Sequence, residues 1–294
     1  MKRAGKKTIT TGYEVGQEVR CKTGRPLRIA LVSDLHDMPY EEALGILKAK
    51  RPDLIAAAGD LMERCDPDNG IITMEEMERW QSLSKRHRAL YRAVKRVTNA
   101  GRLFTGFDQK PGRGLSFLRE AAKIAPTFYS VGNHEWYFLP EDRMALKQAG
   151  IVLLDNQDTV YEHGETRIRI GGLSTRYDLE WLHTFSEKTE PKLLLCHHPE
   201  YYKRFIRGTQ MDRFSLILSG HVHGGQWRIG NRGLLAPGQG LFPEYCYGMY
   251  DRKLIVSSGL SNTAGVPRLG NPREVVLIEW LPEDAAEKQK RTGE

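Results

Sequence analysis

Eight residues of this 294-residue sequence are of the types that bind metals or move protons: Asp34, His36, Asp60, Asn133, His134, His197, His221 and His223. Each lies just beyond a short apolar run. Asp, Asn and His together form a mixed oxygen and nitrogen donor set, which suits manganese, iron or zinc better than the all-oxygen sites of calcium or magnesium. Two such ions about 3.5–4 Å apart can clamp the attacking and leaving oxygens of an in-line displacement at phosphorus. The pair needs a bridging anion, and a carboxylate such as Asp60 can supply it. Two divalent ions outweigh the two carboxylates of Asp34 and Asp60, so the site stays positive and favours an anionic phosphate. A cation of this kind also lowers the pKa of its water to about 7, which provides a nucleophile near neutral pH.

The positioning elements are short buried strands. The runs Leu27–Val32, Leu54–Ala58, Thr127–Val131, Arg167–Gly171, Leu193–Cys196, Phe214–Leu218, Leu254–Val256 and Val275–Trp280 end in glycine or polar residues, as strands covered on both faces do. Helical patterns at Tyr40–Lys50 and Gly114–Lys123 alternate with the early runs, so the chain reads as a layered α/β domain. In such folds sites form in the crevice beyond the carboxyl ends of strands. One Asp or His after a strand means little, but five strand ends in series each deliver ligand-type residues. His221 and His223 would point opposite ways on a regular strand. They converge only in an irregular turn, which Gly224-Gly225 permits.

The ordered series Asp34-Leu35-His36, Gly59-Asp60, Gly132-Asn133-His134-Glu135, His197 and Gly220-His221-Val222-His223 resembles the calcineurin-like metallophosphoesterase superfamily. The run GHVHGGQ and the downstream LLAPGQGLFPEY are similar to its bacterial phosphodiesterase branch, some members of which act on lipid-linked sugar nucleotides. The resemblance covers residues 34 to about 245. It implies a four-layered α/β/β/α sandwich of two mixed sheets flanked by helices. It also implies two divalent metal ions (Mn, Fe or Zn): one on Asp34, His36 and His223, the other on Asn133, His197 and His221, with Asp60 bridging. His134 would protonate the leaving oxygen or stabilise the transition state. Of the adjacent histidines, the family pattern and the following proline favour His197, leaving His198 as a neighbour or substrate contact. Asp37 and Glu135 are either ligand-orienting groups or exposed loop acids. Arg268 and Asn271, in the loop 259–272, either contact phosphate or form a simple turn.

Composition bounds the rest. The chain is 40% hydrophobic and 28% charged, ordinary for a globular protein, and its apolar runs fall far short of the roughly 20 residues that span a bilayer. No apolar stretch follows Lys2, Arg3, Lys6 and Lys7, so no signal peptide is expected. Four scattered cysteines, Cys21, Cys65, Cys196 and Cys246, suit reduced thiols in the cytoplasm. The net charge is +7, yet Arg79 to Arg102 holds eight Lys or Arg residues and no acid, and removing those charges leaves −1. The stretch between Asp60 and Asn133 exceeds the roughly 30 residues of a β-α-β unit. A single domain spanning 1–294 is therefore expected, with a basic helical insertion at about 65–112. Leu83, Leu90, Tyr91, Val94 and Val97 fall near helical spacing and predict a basic amphipathic helix over 79–102, with a return loop at 106–114. That helix suits an anionic membrane surface better than nucleic acid, because no aromatic residues interleave for base stacking.

The expected function is a binuclear metal-dependent hydrolase. Its target would be a phosphodiester or pyrophosphate bond in a phosphate-ester substrate, lipid-linked or a sugar nucleotide, at the cytoplasmic membrane surface. The rivals are a metal-dependent nuclease and a catalytically silent interaction scaffold. A scaffold should show gaps in the ligand series, and none is present.

Overall fold

The uninterrupted apolar runs become strands because each supplies alternate residues to two covered faces. In the computed structural model, residues 7–15, 26–64, 74–89, 108–164, 166–230, 232–236, 239–262 and 268–280 are described. One sheet has the order β1 (Ile9–Val15), β16 (Glu274–Trp280), β2 (Leu27–Val32), β3 (Leu54–Ala58), β4 (Thr127–Ser130), β5 (Val152–Leu154). Strands β2 to β5 are parallel, β16 runs antiparallel to β2, and β1 is parallel to β16. The second sheet has the order β14 (Gly248–Tyr250), β15 (Leu254–Val256), β9 (Leu216–Ser219), β8 (Lys192–Cys196), β7 (Thr166–Leu173), β6 (Gln157–His163). Its four central strands are parallel and both edge strands antiparallel. Two small hairpins follow β9: β10 (Arg228–Ile229) with β11 (Arg232–Gly233), and β12 (Leu235–Ala236) with β13 (Gly240–Leu241).

Period-two alternation sorts the apolar residues into layers. Leu54, Ala56 and Ala58 of β3 face Leu193, Leu195, Leu216 and Leu218 of the other sheet, forming the core between the sheets. Ile55 and Ala57 face outward, where α1 (Glu41–Lys50), α3 (Arg113–Ala122) and α4 (Pro140–Gln148) cover them through Leu47, Phe117, Leu118, Ala121 and Leu146. The opposite outer layer packs Leu194, Ile217 and Val256 under Leu182 and Phe185 of α5 (Leu179–Ser186) and under Tyr202 and Ile206. The result is the four-layered α/β/β/α sandwich that the resemblance implied. No helix among the described residues is long and apolar enough to cross a membrane.

The expected strand 27–32 is β2, 54–58 is β3 and 254–256 is β15; the other five lie within two residues of their observed ends. Strands β1 and β6 escape a search for apolar runs because both are sheet edges, where one side stays wet and the residues are mixed. The basic segment needs a correction. Helix α2 (Met74–Ser82) begins before Arg79 and stops, and helical structure resumes only at 85–89. The break is held by Arg88, whose guanidinium donates to the carbonyls of Trp80 (3.1 Å) and Gln81 (2.6 Å) and stacks over the Trp80 ring. Arg88 thus satisfies carbonyls that a continuing helix would have bonded itself. Residues 90–102, which would complete the expected helix, lie outside the described residues, as do Cys21 and Cys65. Cys196 and Cys246 are buried free thiols.

Candidate metal centre

Loops from both sheets meet at one end of the sandwich. Those leaving β2 and β3 run paired, with Asp34 N–H donating to Gly59 O (3.1 Å), His36 N–H to Asp60 O (3.0 Å) and Asp37 N–H to Leu61 O (3.1 Å). Cross-sheet bonds complete the junction: His197 Nδ1 meets Ala58 O at 2.7 Å, and the His221 N–H donates to Asp34 Oδ1 at 2.9 Å.

The ligand-type residues converge because the backbone turns back sharply at them. Asp34 (φ 53°), His36 (53°), Asp60 (55°), His221 (71°) and His223 (46°) all adopt left-handed conformations, at a cost of order 1–3 kcal/mol each. The hydrogen bonds above hold them there. With Val222 between them at φ −88°, His221 and His223 no longer alternate as on a strand. Two glycines leave the room this requires. A Cβ on Gly59 (φ 84°) would stand 2.5 Å from His197 Nδ1, and one on Gly220 would stand 2.6 Å from Asp34 Oδ2. Neither position tolerates a side chain without moving a ligand-type residue.

Among the described residues four groups of potential ligand atoms result, each with its atoms within 4.8 Å of one another: Asp34, His36 and His223; Asp60, His197 and His221; His36, Asp60 and His134; and His198, Glu200 and His221. Asn133 joins the second through Oδ1, 3.1 Å from His197 Nε2. All eight residues expected from the sequence are therefore brought together. The first group is made of Asp34, His36 and His223; the second joins Asp60 to His197 and His221, and Asp60 belongs also to the group with His36 and His134.

The donor set fits divalent cations on its own chemistry. Nδ1 of His197 is engaged by a carbonyl, which leaves Nε2 facing the cluster, and Nδ1 of His36 contacts Glu63 Oε1 at 2.8 Å. This is the outer-shell pattern that fixes a ligating histidine's tautomer. Nε2 of His36 is buried and makes no hydrogen bond, a costly state for a polar atom that a cation would relieve.

The electrostatics follow from crowding. Burial alone would depress His197 and His134, but Asp60 beside the first and Glu63 with Asp60 beside the second prevail, and each is pushed up to about 10. Burial opposes ionisation of Asp60, yet His197 and His134 hold it well below the usual carboxylate range. Burial raises Asp34. His221 and His223 are driven well below their ordinary value by burial first, then by the crowding of His198 and His197 around the one and of His36 and Arg268 around the other.

The second copy in the His197-His198 pair has a different job. His198 is buried, contacts Thr175 Oγ1 (3.0 Å) and Glu200 Oε1 (3.1 Å) through its two nitrogens, and stacks on Tyr201. Burial pushes its pKa down to about 3. With both nitrogens engaged, it packs beside His221 rather than facing the opening.

Several supporting residues were only half visible in the sequence. Glu135 is fully buried, and its carboxylate accepts from the backbone N–H groups of Asp60 (2.7 Å), Met62 (2.8 Å) and Gly132 (2.9 Å) and from the Tyr129 hydroxyl. It fixes the Asp60 loop. Asp37 is buried too, and accepts from the N–H groups of Glu63 (3.1 Å) and Gly114 (2.7 Å). Asn271 donates to His223 O at 2.6 Å, and an Arg268 guanidinium nitrogen lies 3.1 Å from His223 Nδ1. Both therefore position the His223 turn. Glu63 was missed altogether. Its two oxygens span His36 Nδ1 (2.8 Å) and His134 Nδ1 (3.0 Å); the available signal was an acid three residues beyond Asp60.

With this geometry in hand, comparison with known proteins is direct. The sequence model of the calcineurin-like phosphoesterase family matches residues 27–225, more than half of the chain and the whole set of ligand-type residues. The chain belongs to this family, a class of metal-dependent phosphoester hydrolases. Among individual proteins it is similar to YpbG of Bacillus subtilis, at 28% identity over 51% of this chain and 54% of that one. It is similar to phosphodiesterase YaeI of Escherichia coli at 34% identity over 38% of this chain and 42% of that one. The metallophosphoesterase Cj0846 of Campylobacter jejuni matches at 29% identity over 56% and 44%. The matches span about half the length of these relatives.

Proposed function

We propose that the chain hydrolyses phosphodiester or pyrophosphate bonds at a two-metal centre. One cation would be held by Asp34, His36 and His223, the other by Asn133, His197 and His221, with Asp60 shared. The observation that carries this reading is the place of Asp60, whose Oδ2 lies 3.0 Å from His197 Nε2 and 3.8 Å from His36 Nε2. A single carboxylate in contact with a histidine of each proposed ligand set is what a bridged pair requires. Divalent ions of the manganese, iron or zinc type supply Lewis-acid charge to the phosphoryl group and an activated water.

The protein's own part is positioning and proton transfer. His134 keeps 18% of its side chain exposed and is held by no ligand set of the proposal, while His36 and His197 are fully buried and His223 is a ligand in it, so His134 is the histidine left to meet a substrate at the opening. Glu63 holds its Nδ1 and keeps the ring protonated, which leaves Nε2–H to donate to a leaving oxygen. Similarity to the phosphodiesterase YaeI supports a phosphodiester substrate; a lipid-linked or sugar-nucleotide ester at the cytoplasmic membrane face, cleaved by one domain carrying the 65–112 insertion, completes the proposal.

The test is reconstitution of chelator-stripped protein with manganese, zinc or iron, measuring metal per chain and turnover of bis(p-nitrophenyl) phosphate. About two ions per chain are expected. His134→Ala should keep them while kcat falls by about 10²–10⁴. Clearly less than one ion per chain under replete conditions, or undiminished turnover in that variant, overturns the reading.

A further inference from the structure

Directly after His223 the chain presents apolar side chains to solvent. Ile229, Phe242 and Leu241 are 90%, 75% and 68% exposed, the three highest values for large hydrophobics among the described residues. Trp227, Leu235 and Leu269 are exposed with them, so half of the exposed large hydrophobics described fall in this one place. They are not scattered. Arg228 N–H donates to Leu269 O (2.9 Å), Leu234 N–H to Trp227 O (2.9 Å) and Phe242 N–H to Leu234 O (2.9 Å). Both hairpins and the Leu269 segment are therefore bonded into one unit. That unit is tied to the metal centre, because Leu234 N–H also donates to Gly225 O (3.1 Å) and Asn271, two residues beyond Leu269, holds His223.

We propose that this double-hairpin unit docks the chain on an anionic lipid surface and so presents the metal centre to phosphoesters carried in that surface. The proposal deepens the phosphoesterase reading and rests on it for the substrate class. Contiguous exposed apolar patches mark interaction sites, and the chemistry here selects lipid. Residues 227–243 combine Trp, Ile, Leu and Phe with the exposed Arg232 and contain no acid; apolar side chains beside a basic one match an interface of acyl chains under negative headgroups. Ile229, Leu235 and Leu241 sit on narrow two-residue strands, with Trp227 and Phe242 directly flanking them, a shape that enters a fluid surface more readily than it matches a flat protein face. The basic segment beginning at Arg79 would add long-range attraction without being the anchor.

Flotation of the full-length protein with vesicles of phosphatidylcholine alone, or with 30% phosphatidylglycerol, tests this, alongside turnover of soluble bis(p-nitrophenyl) phosphate. Binding to the anionic vesicles is expected, with a blue shift of tryptophan emission that Trp227→Phe removes. The combined variant Ile229→Ser, Leu241→Ser, Phe242→Ser should weaken vesicle binding at least tenfold and leave soluble turnover unchanged. Vesicle binding equal to wild type in that variant overturns the proposal. So does a wild-type chain that ignores vesicles at low salt, or one that self-associates through these residues instead. Loss of soluble turnover in the wild type itself would count against the phosphoesterase reading, and not against docking.

Discussion

On either side of Gly224 the chain departs from the ordinary distribution of residues in opposite ways. Up to His223 it buries acids and imidazoles: Asp34, His36, Asp60 and His197 are all but inaccessible. In the hairpins that follow, Trp227, Ile229, Leu235, Leu241 and Phe242 expose what proteins usually bury. Each region is unfavourable alone, the first through desolvated polar atoms in left-handed backbone, the second through apolar area left in water. The counterpart proposed for each is a cation in one case and lipid in the other. The difference is in how the two are held. The buried cluster is braced on every side, by Glu135, Glu63, Asp37 and Asn271, because its chemistry depends on fractions of an ångström. The hairpins are held mainly by backbone bonds and by Gln239, which bonds the backbone of Tyr245, and this suffices for a contact that asks for area and not for geometry.

That contrast can be broken most severely at Asp60. Asp60→Asn removes the shared charge while keeping the shape, and several kcal/mol of transition-state stabilisation go with it, so kcat should fall by about 10³ or more. Metal per chain should fall too, with circular dichroism unchanged. Turnover within tenfold of wild type would mean that Asp60 does not bridge.

Bracing is examined at Glu63. Glu63→Gln keeps a hydrogen-bonding side chain but loses the charge between His36 and His134, and a loss of about 10–100-fold in metal affinity or activity is expected. A metal titration followed by turnover reads it, and the pH profile of kcat should shift as His134 loses the carboxylate that holds its proton. No change in either would make Glu63 a bystander. Substitutions in the hairpins should leave both measurements alone.

The smallest effect comes from an ion-pair cluster belonging to neither region. Arg169 meets Glu190 at 2.8 Å and 3.1 Å and Asp158 at 2.7 Å, and these contacts lower Glu190 to about 2. A depressed carboxylate contributes stability above its unfolded pKa near 4.5 and loses it as pH falls toward 2. Arg169→Met should therefore flatten the stability curve across that window while leaving turnover at neutral pH intact, as urea denaturation at several pH values would show. An unchanged acid limb would remove the pair from the stability account.

Local signals carried much of this molecule. Leu54–Ala58 is legible as a strand because all five residues are apolar, and Asp60 beyond it as a candidate ligand because the strand must end there. Gly132-Asn133-His134 and Gly220-His221-Val222-His223 are legible for the same reason, and as an ordered series they carried the resemblance that implied the layered fold. By contrast β1, with the polar run Ile9–Val15, gains its place only by pairing with β16 some 265 residues away. Glu63 spans two histidines, one of them 71 residues distant, and Arg88 ends a helix that side-chain spacing alone would have continued.

By itself, then, the sequence determined which residues could do the chemistry and which runs would be buried, since residue type and period are local properties. Only the tertiary structure decided that Glu63 spans His36 and His134, that Glu135 braces the Asp60 loop, and that the apolar residues after His223 face water. Those outcomes depend on packing and on hydrogen bonds between distant segments, which no window of neighbouring residues contains.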